Sequence, residues 1–329
     1  MIAPNKILVI QTAFIGDAIL ATGLLEKLHE SYPEAQIDYL VRKGNDSLFN
    51  NHPFIQNLLV WRKTNGKYKD LLRLLKLIRK EKYDYVINLQ RFANTGFLTT
   101  FSKAKVKIGF EKNPWAWAFD IKVPHEVNNG KHEIERNQLL IDSITSGAAN
   151  RPRLYPTDAD YSKTKIYKDQ PYVCLAPASV WFTKQMPKEK WVELIKSIPQ
   201  GTRAYLIGAP DDKTMCQDII DDSGSENAIN LCGELNLLQS AALIEDAQMN
   251  YVNDSAPMHL ASSMNAPTAA IFCSTIPEFG FGPLSEDSKI IQVQEKLSCR
   301  PCGLHGKKAC PQGHFDCGNQ VNLRALRKA

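Results

Sequence analysis

Four short stretches of this 329-residue chain set small residues beside a single carboxylate, amine or imidazole, each where an apolar run gives way to a helical pattern. The first is Thr12-Ala-Phe-Ile-Gly16-Asp17. Gly16 permits a tight turn and close backbone approach. Asp17, at the start of a helix, either caps it or takes a proton from an attacking hydroxyl. The second runs from Ala176-Pro-Ala-Ser179 to Lys184-Gln-Met-Pro187. Ser179 and its small neighbours can line a phosphate and Lys184 can neutralise it, unless this is an ordinary loop with a solvated lysine. The third, Gly208-Ala-Pro-Asp211, is a small-residue strand exit fit to lie beside a nucleotide. The fourth is Asn253-Asp254-Ser255-Ala256-Pro257-Met258-His259. Asp254 and Ser255 are expected to cap a helix whose free N–H groups and positive dipole end suit a diphosphate. His259, one turn in, faces the same ligand or packs on the sheet. Because Gly16 stands alone, the first stretch is not the G-x-G-x-x-G of a dinucleotide site, which disfavours hydride chemistry.

Such stretches need a frame that presents strand ends to a ligand. Apolar runs at 6–11, 37–41, 58–61 and 83–89 read as strands, with helices at 15–31 and 68–82 between them. After a Pro-containing, polar lapse over 150–170, which reads as a linker, the alternation resumes. Strands are expected at 172–176, 204–207, 249–252 and 268–272, and helices at 191–198, 213–220, 237–247 and 258–264. The pattern predicts an α/β protein of two doubly wound, Rossmann-like parallel-sheet domains, 1–165 and 166–329. Ligands of open parallel sheets sit at the C-terminal strand ends, so the expected site is a cleft across which the two domains face.

Composition narrows the class. The chain is 43% hydrophobic, and no apolar run approaches the roughly 20 residues of a membrane-spanning helix. Met1 to Asn5 lead straight into a strand with no signal-peptide pattern, so the protein is expected in the cytoplasm. The formal charge of +5 is uneven: residues 1–168 carry 26 Lys+Arg against 17 Asp+Glu, and the remainder is mildly acidic. The basic half therefore suits an anionic partner or surface. Seven lysines and arginines between Lys67 and Lys82, with Trp115-Ala-Trp117-Ala-Phe119 nearby, point to an anionic lipid surface. No nucleic-acid partner is expected.

In this order and spacing the stretches resemble glycosyltransferase family 9, the ADP-heptose:lipopolysaccharide heptosyltransferases. The matching residues are Lys6-Ile-Leu-Val-Ile with Ile15-Gly16-Asp17, and Lys184-Gln-Met-Pro187 with Trp191. They continue through Asn253-Asp-Ser-Ala-Pro-Met-His259-Leu-Ala and Asn265-Ala-Pro-Thr with Ile271-Phe. His132-Glu-Ile-Glu-Arg136-Asn looks like the family's helix before the linker. The resemblance implies a GT-B fold with an acceptor-binding first domain and a donor-binding second one. It implies an inverting transfer that uses no metal in catalysis and needs no cofactor, the ADP-sugar being a substrate and the acceptor a lipid-linked saccharide of the lipopolysaccharide core. Asp17 then matches the catalytic base and Lys184 the lysine at the donor phosphates, with Asp254, Ser255, Ala256 and His259 in the donor loop. Ser179 joins the donor side, and Gly16 and Gly208 allow phosphate approach. Ala256 replaces the family's usual glycine, and Phe272-Cys-Ser274 its aromatic-Gly-Pro, which affects the donor pocket. On this reading the enzyme sits peripherally on the cytoplasmic face of the inner membrane. Two other classes stay open: a nucleotide-sugar epimerase of similar architecture, and a non-catalytic nucleotide-sugar-binding protein.

Cys299, Cys302, Cys310 and Cys317 pack four thiols into 19 residues, with His305 and His314 interleaved. Structural zinc, reduced thiols in an irregular tail, and disulfides are the three readings. None of these cysteines falls in a matched motif, so no catalytic role is expected of them. Cys174, Cys216, Cys232 and Cys273 read as small core residues.

Overall fold

The short apolar runs become inner strands of two all-parallel sheets in a computed structural model that describes residues 3–323 apart from Asn65 and Asn128. The chain divides into two compact units, Met1–Tyr155 and Pro156–Ala329. The first unit runs β1 (Lys6–Ile10), α1 (Ile15–Leu20), α2 (Thr22–Ser31), β2 (Gln36–Arg42), β3 (Ile55–Trp61) and α3 (Lys67–Glu81). It continues with β4 (Tyr85–Asn88), α4 (Ala93–Thr100), β5 (Val106–Phe110), β6 (Ile121–Val123) and α5 (Glu133–Gln138). Its strands lie in the order β3-β2-β1-β4-β5-β6, with Ile7 paired to Ile37 on one side and to Tyr85 on the other. Ile7, Leu8, Val9 and Ile10 are wholly buried, as a parallel strand covered on both faces must be. Helix α3 supplies part of that cover. Leu71, Leu74, Leu75 and Ile78 recur at helical spacing and pack against Trp61 and Val86.

The second unit runs α6 (Asp158–Thr164), β7 (Tyr172–Ala176), α7 (Lys188–Lys196), β8 (Arg203–Leu206), α8 (Lys213–Ser223) and β9 (Ala228–Asn230). There follow α9 (Leu237–Glu245), β10 (Asn250–Asn253), α10 (Ala256–Ser263), β11 (Thr268–Phe272), β12 (Ser288–Gln292) and α11 (Asp316–Asn319). Its strand order is β12-β11-β10-β7-β8-β9, which is the order of the first unit counted within the second. In such an order the chain turns opposite ways on leaving the two central strands, and a crevice opens at their carboxyl ends. Those ends are β1 and β4 in the first unit, β7 and β10 in the second.

Two local expectations are corrected. The helix expected over 15–31 is two helices, broken at Ala21. Thr22 Oγ1 donates to the Ile19 carbonyl at 2.7 Å and accepts from Arg153 N at 2.9 Å, so a side chain competes with the helical ladder there. The stretch read as a linker holds α6. Thr157 Oγ1 accepts from Asp160 N at 3.3 Å, and the Asp160 carboxylate accepts from Thr157 N at 2.9 Å, a reciprocal cap. Helix α6 packs on α9, and Tyr161 Oη donates to Glu245 at 2.7 Å.

Candidate functional site

In the first unit the carboxyl ends of β1 and β4 meet through polar side chains. Thr12 Oγ1 donates to Gln90 Oε1 at 2.7 Å, and Gln90 Nε2 donates to Gln11 Oε1 at 2.8 Å. Asp17 follows as the third residue of α1. The N-cap position belongs to Phe14, which makes no side-chain cap bond, so Asp17 is not the cap of its helix. It lies in the first turn, where the helix dipole favours a negative charge, and is half-buried. Gly16 is the second residue of α1 and does not adopt positive φ, so no turn there requires glycine.

The groups around Asp17 carry little signal in the sequence. Helix α5 brings Glu133 within its electrostatic reach. Burial raises the Glu133 pKa and the Asp17 charge adds to the rise, while Arg136, with Nε 2.8 Å from the Glu133 carboxylate, opposes it. Lys63, just beyond β3, donates from Nζ to the Thr12 carbonyl. Burial, with Arg42 and Lys67 adding like charge, brings its amine down to about 8. The resemblance of His132–Arg136 to a family helix was the one signal for α5. Lys63 had none, because its position depends on the β3 register.

In the second unit the crevice gathers most of the expected donor residues. Asn253, at the end of β10, donates from Nδ2 to the Pro177 carbonyl at 2.6 Å and accepts from Met186 N at 3.1 Å. These bonds tie the loop after β7 to the loop after β10. Lys184 Nζ then sits 2.7 Å from Asp254 Oδ2, with side-chain exposures of 14% and 9%. Lys184 is thus an ion-paired, largely buried group rather than a solvated one. Thr275 Oγ1 donates to the same Asp254 oxygen at 2.6 Å.

Ser255 occupies the N-cap of α10 by its backbone, but neither it nor Asp254 caps the helix as expected. The Ser255 hydroxyl lies 3.4 Å from the Ala178 carbonyl, and the Asp254 carboxylate is taken by Lys184 and Thr275. In the first turn of α10 Pro257 has no N–H and Met258 N donates to the Ser255 carbonyl at 3.1 Å, so the helix end offers its dipole rather than a row of open amides. Ala256 is the first residue of α10, and His259 lies one turn in and is buried. Ser179 lies in the loop after β7, its carbonyl accepting from Gln185 Nε2 at 2.6 Å. Gly208 follows β8. A Cβ there would come within 2.9 Å of the Asp212 carboxylate and 3.1 Å of Cys232 Sγ, so its bareness accommodates protein side chains.

The cysteine-bearing tail belongs to this unit's architecture. Phe315, Cys317, Val321 and Leu323 enter the core that holds Leu175 and Ile271. Upstream, Thr183 N donates to the Lys307 carbonyl at 3.1 Å, which lays the tail against the Lys184 loop. Sequence reading kept these segments apart. All eight cysteines are free thiols, and Cys174, Cys216, Cys232 and Cys273 are buried. Cys299 Sγ lies 3.9 Å from His314 Nε2, but among the described residues no three His, Cys, Asp or Glu groups converge as metal ligands. Cys302 and Cys317 nevertheless lie within electrostatic reach of Cys299 and Cys310.

The comparisons agree with the fold and extend it. Lipopolysaccharide heptosyltransferase 3 of Escherichia coli is 26% identical over 281 residues, spanning 80% of this chain and 82% of that protein. Two solved structures share the fold. The E. coli ADP-heptose lps heptosyltransferase II aligns with a TM-score of 0.76 at 20% identity, covering 98% of this chain and 100% of that one. The E. coli heptosyltransferase WaaC with ADP aligns at 0.72 and 18% identity, covering 98% of each. Residues 71–310, well over half the sequence, match glycosyltransferase family 9 (heptosyltransferase). With its paired doubly wound sheets and a match running through the Lys184 and Asp254 loops, the chain belongs to glycosyltransferase family 9 and is a glycosyltransferase.

Proposed function

We propose that the enzyme moves a heptose, or a related sugar, from an ADP-sugar to a lipid-linked lipopolysaccharide-core acceptor, inverting the anomeric carbon and using no metal. One observation carries the donor side: Lys184, Asp254 and Thr275 converge at the crevice end of the second sheet, beside the first turn of α10. In this reading the second unit holds the donor and the first the acceptor. The acceptor oxygen attacks the anomeric carbon as its proton passes to Asp17. The bond to the diphosphate breaks, and its electrons leave with ADP. The growing charge is met by Lys184 and the positive dipole end of α10. Ser179, Ser255, Ala256 and His259 line the donor, and Gly208 marks the edge of that pocket. The relative solved with ADP supports this choice of nucleotide. At a hundredfold excess over its Kd, the correct ADP-sugar should add about 2.7 kcal/mol to the unfolding free energy, read as a rise in Tm. GDP- and UDP-sugars should add less, and transfer should persist in a chelator. Equal stabilisation by all three would remove the ADP assignment, and donor conversion without acceptor would mark an epimerase.

The acceptor side carries the charge for an anionic substrate on a membrane. Arg42 and Lys67 both lie within electrostatic reach of Lys63. Helix α3 exposes Tyr68 and Leu72 among its lysines and arginines, while Trp117 is 73% exposed and Phe119 buried. Trp115 meets Phe97 and Phe101 edge-on and Trp117 at a tilt, giving one aromatic cluster. No helix among the described residues is long and apolar enough to cross a membrane. The protein should co-sediment with anionic vesicles at low salt and be released near 1 M, where the Debye length is about 3 Å. Trp117→Ala should weaken the binding. Failure to pellet at low ionic strength would end the surface-docking idea.

A further inference from the structure

The aliphatic stem of Lys184 is roofed by backbone from the far end of the chain. At Gly306, φ is +74°, and a Cβ there would stand 2.8 Å from Lys184 Cγ and 3.2 Å from both Lys184 Cδ and Thr183 Oγ1. Only a residue without a side chain fits that position at that φ. Thr183, buried beneath, is clamped to the tail: its N donates to the Lys307 carbonyl at 3.1 Å, and its Oγ1 accepts from Lys307 N at 2.8 Å and donates to the same carbonyl at 3.3 Å. The same Oγ1 accepts from Ser274 Oγ at 2.9 Å, and Ser274 N donates to the Thr183 carbonyl at 3.1 Å.

The tail also holds the counter-ion. Arg300 donates from Nε to the Cys273 carbonyl at 2.6 Å, and from Nη2 to the Thr275 carbonyl and Gln292 Oε1, each at 2.7 Å. Cys302 N donates to the Ser274 carbonyl at 2.9 Å. The guanidinium thereby fixes the loop after β11, whose Thr275 hydroxyl holds Asp254 opposite Lys184. A lysine stem has many rotamers, and a stem already covered and aimed has less freedom to lose when it meets a ligand.

We infer that residues 300–307 form a strap that positions Lys184, with Gly306, Thr183 and Arg300 as its positioning residues. The use of that positioning, holding the donor diphosphate, rests on the assignment of Lys184 proposed above. The test uses the full chain in two variants, Gly306→Ala and Thr183→Val, both checked for wild-type unfolding temperature. Acetylation of Lys184 by a limiting acylating reagent, followed by mass spectrometry, reads the amine directly and needs no donor. It should be several-fold faster in at least one folded variant. ADP titration should show roughly tenfold weaker binding in Gly306→Ala, and no further loss when Gly306→Ala is added to Lys184→Met. Wild-type acetylation in both folded variants overturns the strap. So does an equal loss of ADP affinity from Gly306→Ala whether or not Lys184 is present. Faster acetylation together with wild-type ADP binding by Lys184→Met upholds the strap and refutes Lys184 as the donor's lysine.

Discussion

Asp17→Asn is expected to transfer sugar at least about 100-fold more slowly than wild type while staying folded and binding donor nearly normally. Removing a general base typically costs roughly 10²–10⁴-fold in rate, and asparagine keeps the size of the side chain but cannot take the acceptor's proton. The stability cost is small, because Phe14 rather than Asp17 holds the N-cap of α1. What is lost is the carboxylate's favourable place in the first turn, worth about 0.3–1 kcal/mol. The neighbouring carboxylate, Glu133, makes a poor substitute. It is 6% exposed and committed to Arg136 at 2.8 Å. Initial rates with the true acceptor, beside a thermal melt, decide the matter. Turnover within a few-fold of wild type would move the base elsewhere.

Lys184→Ala should injure the protein twice. Removing the charge that meets the leaving diphosphate should lower turnover by roughly 10²–10³, the scale of losing a fixed transition-state donor. It also strips Asp254 of its cation, leaving the Thr275 hydroxyl to bond a carboxylate 9% exposed. Breaking a buried pair from one side costs about 3–5 kcal/mol. With Lys184 itself 14% exposed, the low end applies. The double variant Lys184→Ala/Asp254→Asn removes the stranded charge, so its unfolding temperature should recover while its turnover does not. Recovery of both would make the pair purely structural.

What the sequence disclosed follows from how each element is buried. β1, β7 and β11 are continuous apolar runs because both of their faces are covered, and such runs can be read directly. Missed were β5, whose apolar run is broken by Lys107 and Gly109, β6, a three-residue strand with a central lysine, β9, three half-buried residues, and β12, an edge strand with an exposed Ser288. Their strand character comes from pairing, not from composition. Helix α4, Ala-Asn-Thr-Gly-Phe-Leu-Thr-Thr, is built from weak helix formers and exists because it packs beside α3 and β4. Helix α7 begins at Lys188, three residues before its first expected position, because Pro187 serves as the N-cap.

At the site, Asp17, Lys184 and Asp254 stood out as chemical residues after strands. Their partners did not. That Lys184 pairs with Asp254, 70 positions away in the chain, follows from the adjacency of β7 and β10 and the bonds of Asn253. That Asp254 and Ser255 leave α10 without a side-chain cap could not be read from residue types that usually supply one. The tail carried cysteines that drew attention to metal, whereas Gly306 and Arg300, which touch the Lys184 region, look like ordinary loop residues in the sequence.

The bonds between Thr183 and Lys307 join residues 124 apart in the chain, which orders events during synthesis. At about 5–20 residues per second, a ribosome reaches Lys307 roughly 6–25 s after Thr183. The first unit, a contiguous stretch ending at Tyr155, has been synthesised by then, and so have the strands from β7 to β12. Every strand is therefore made before the segment that roofs the lysine loop. Transcripts broken shortly before codon 300 would encode chains holding every strand but not the segment that covers Lys184.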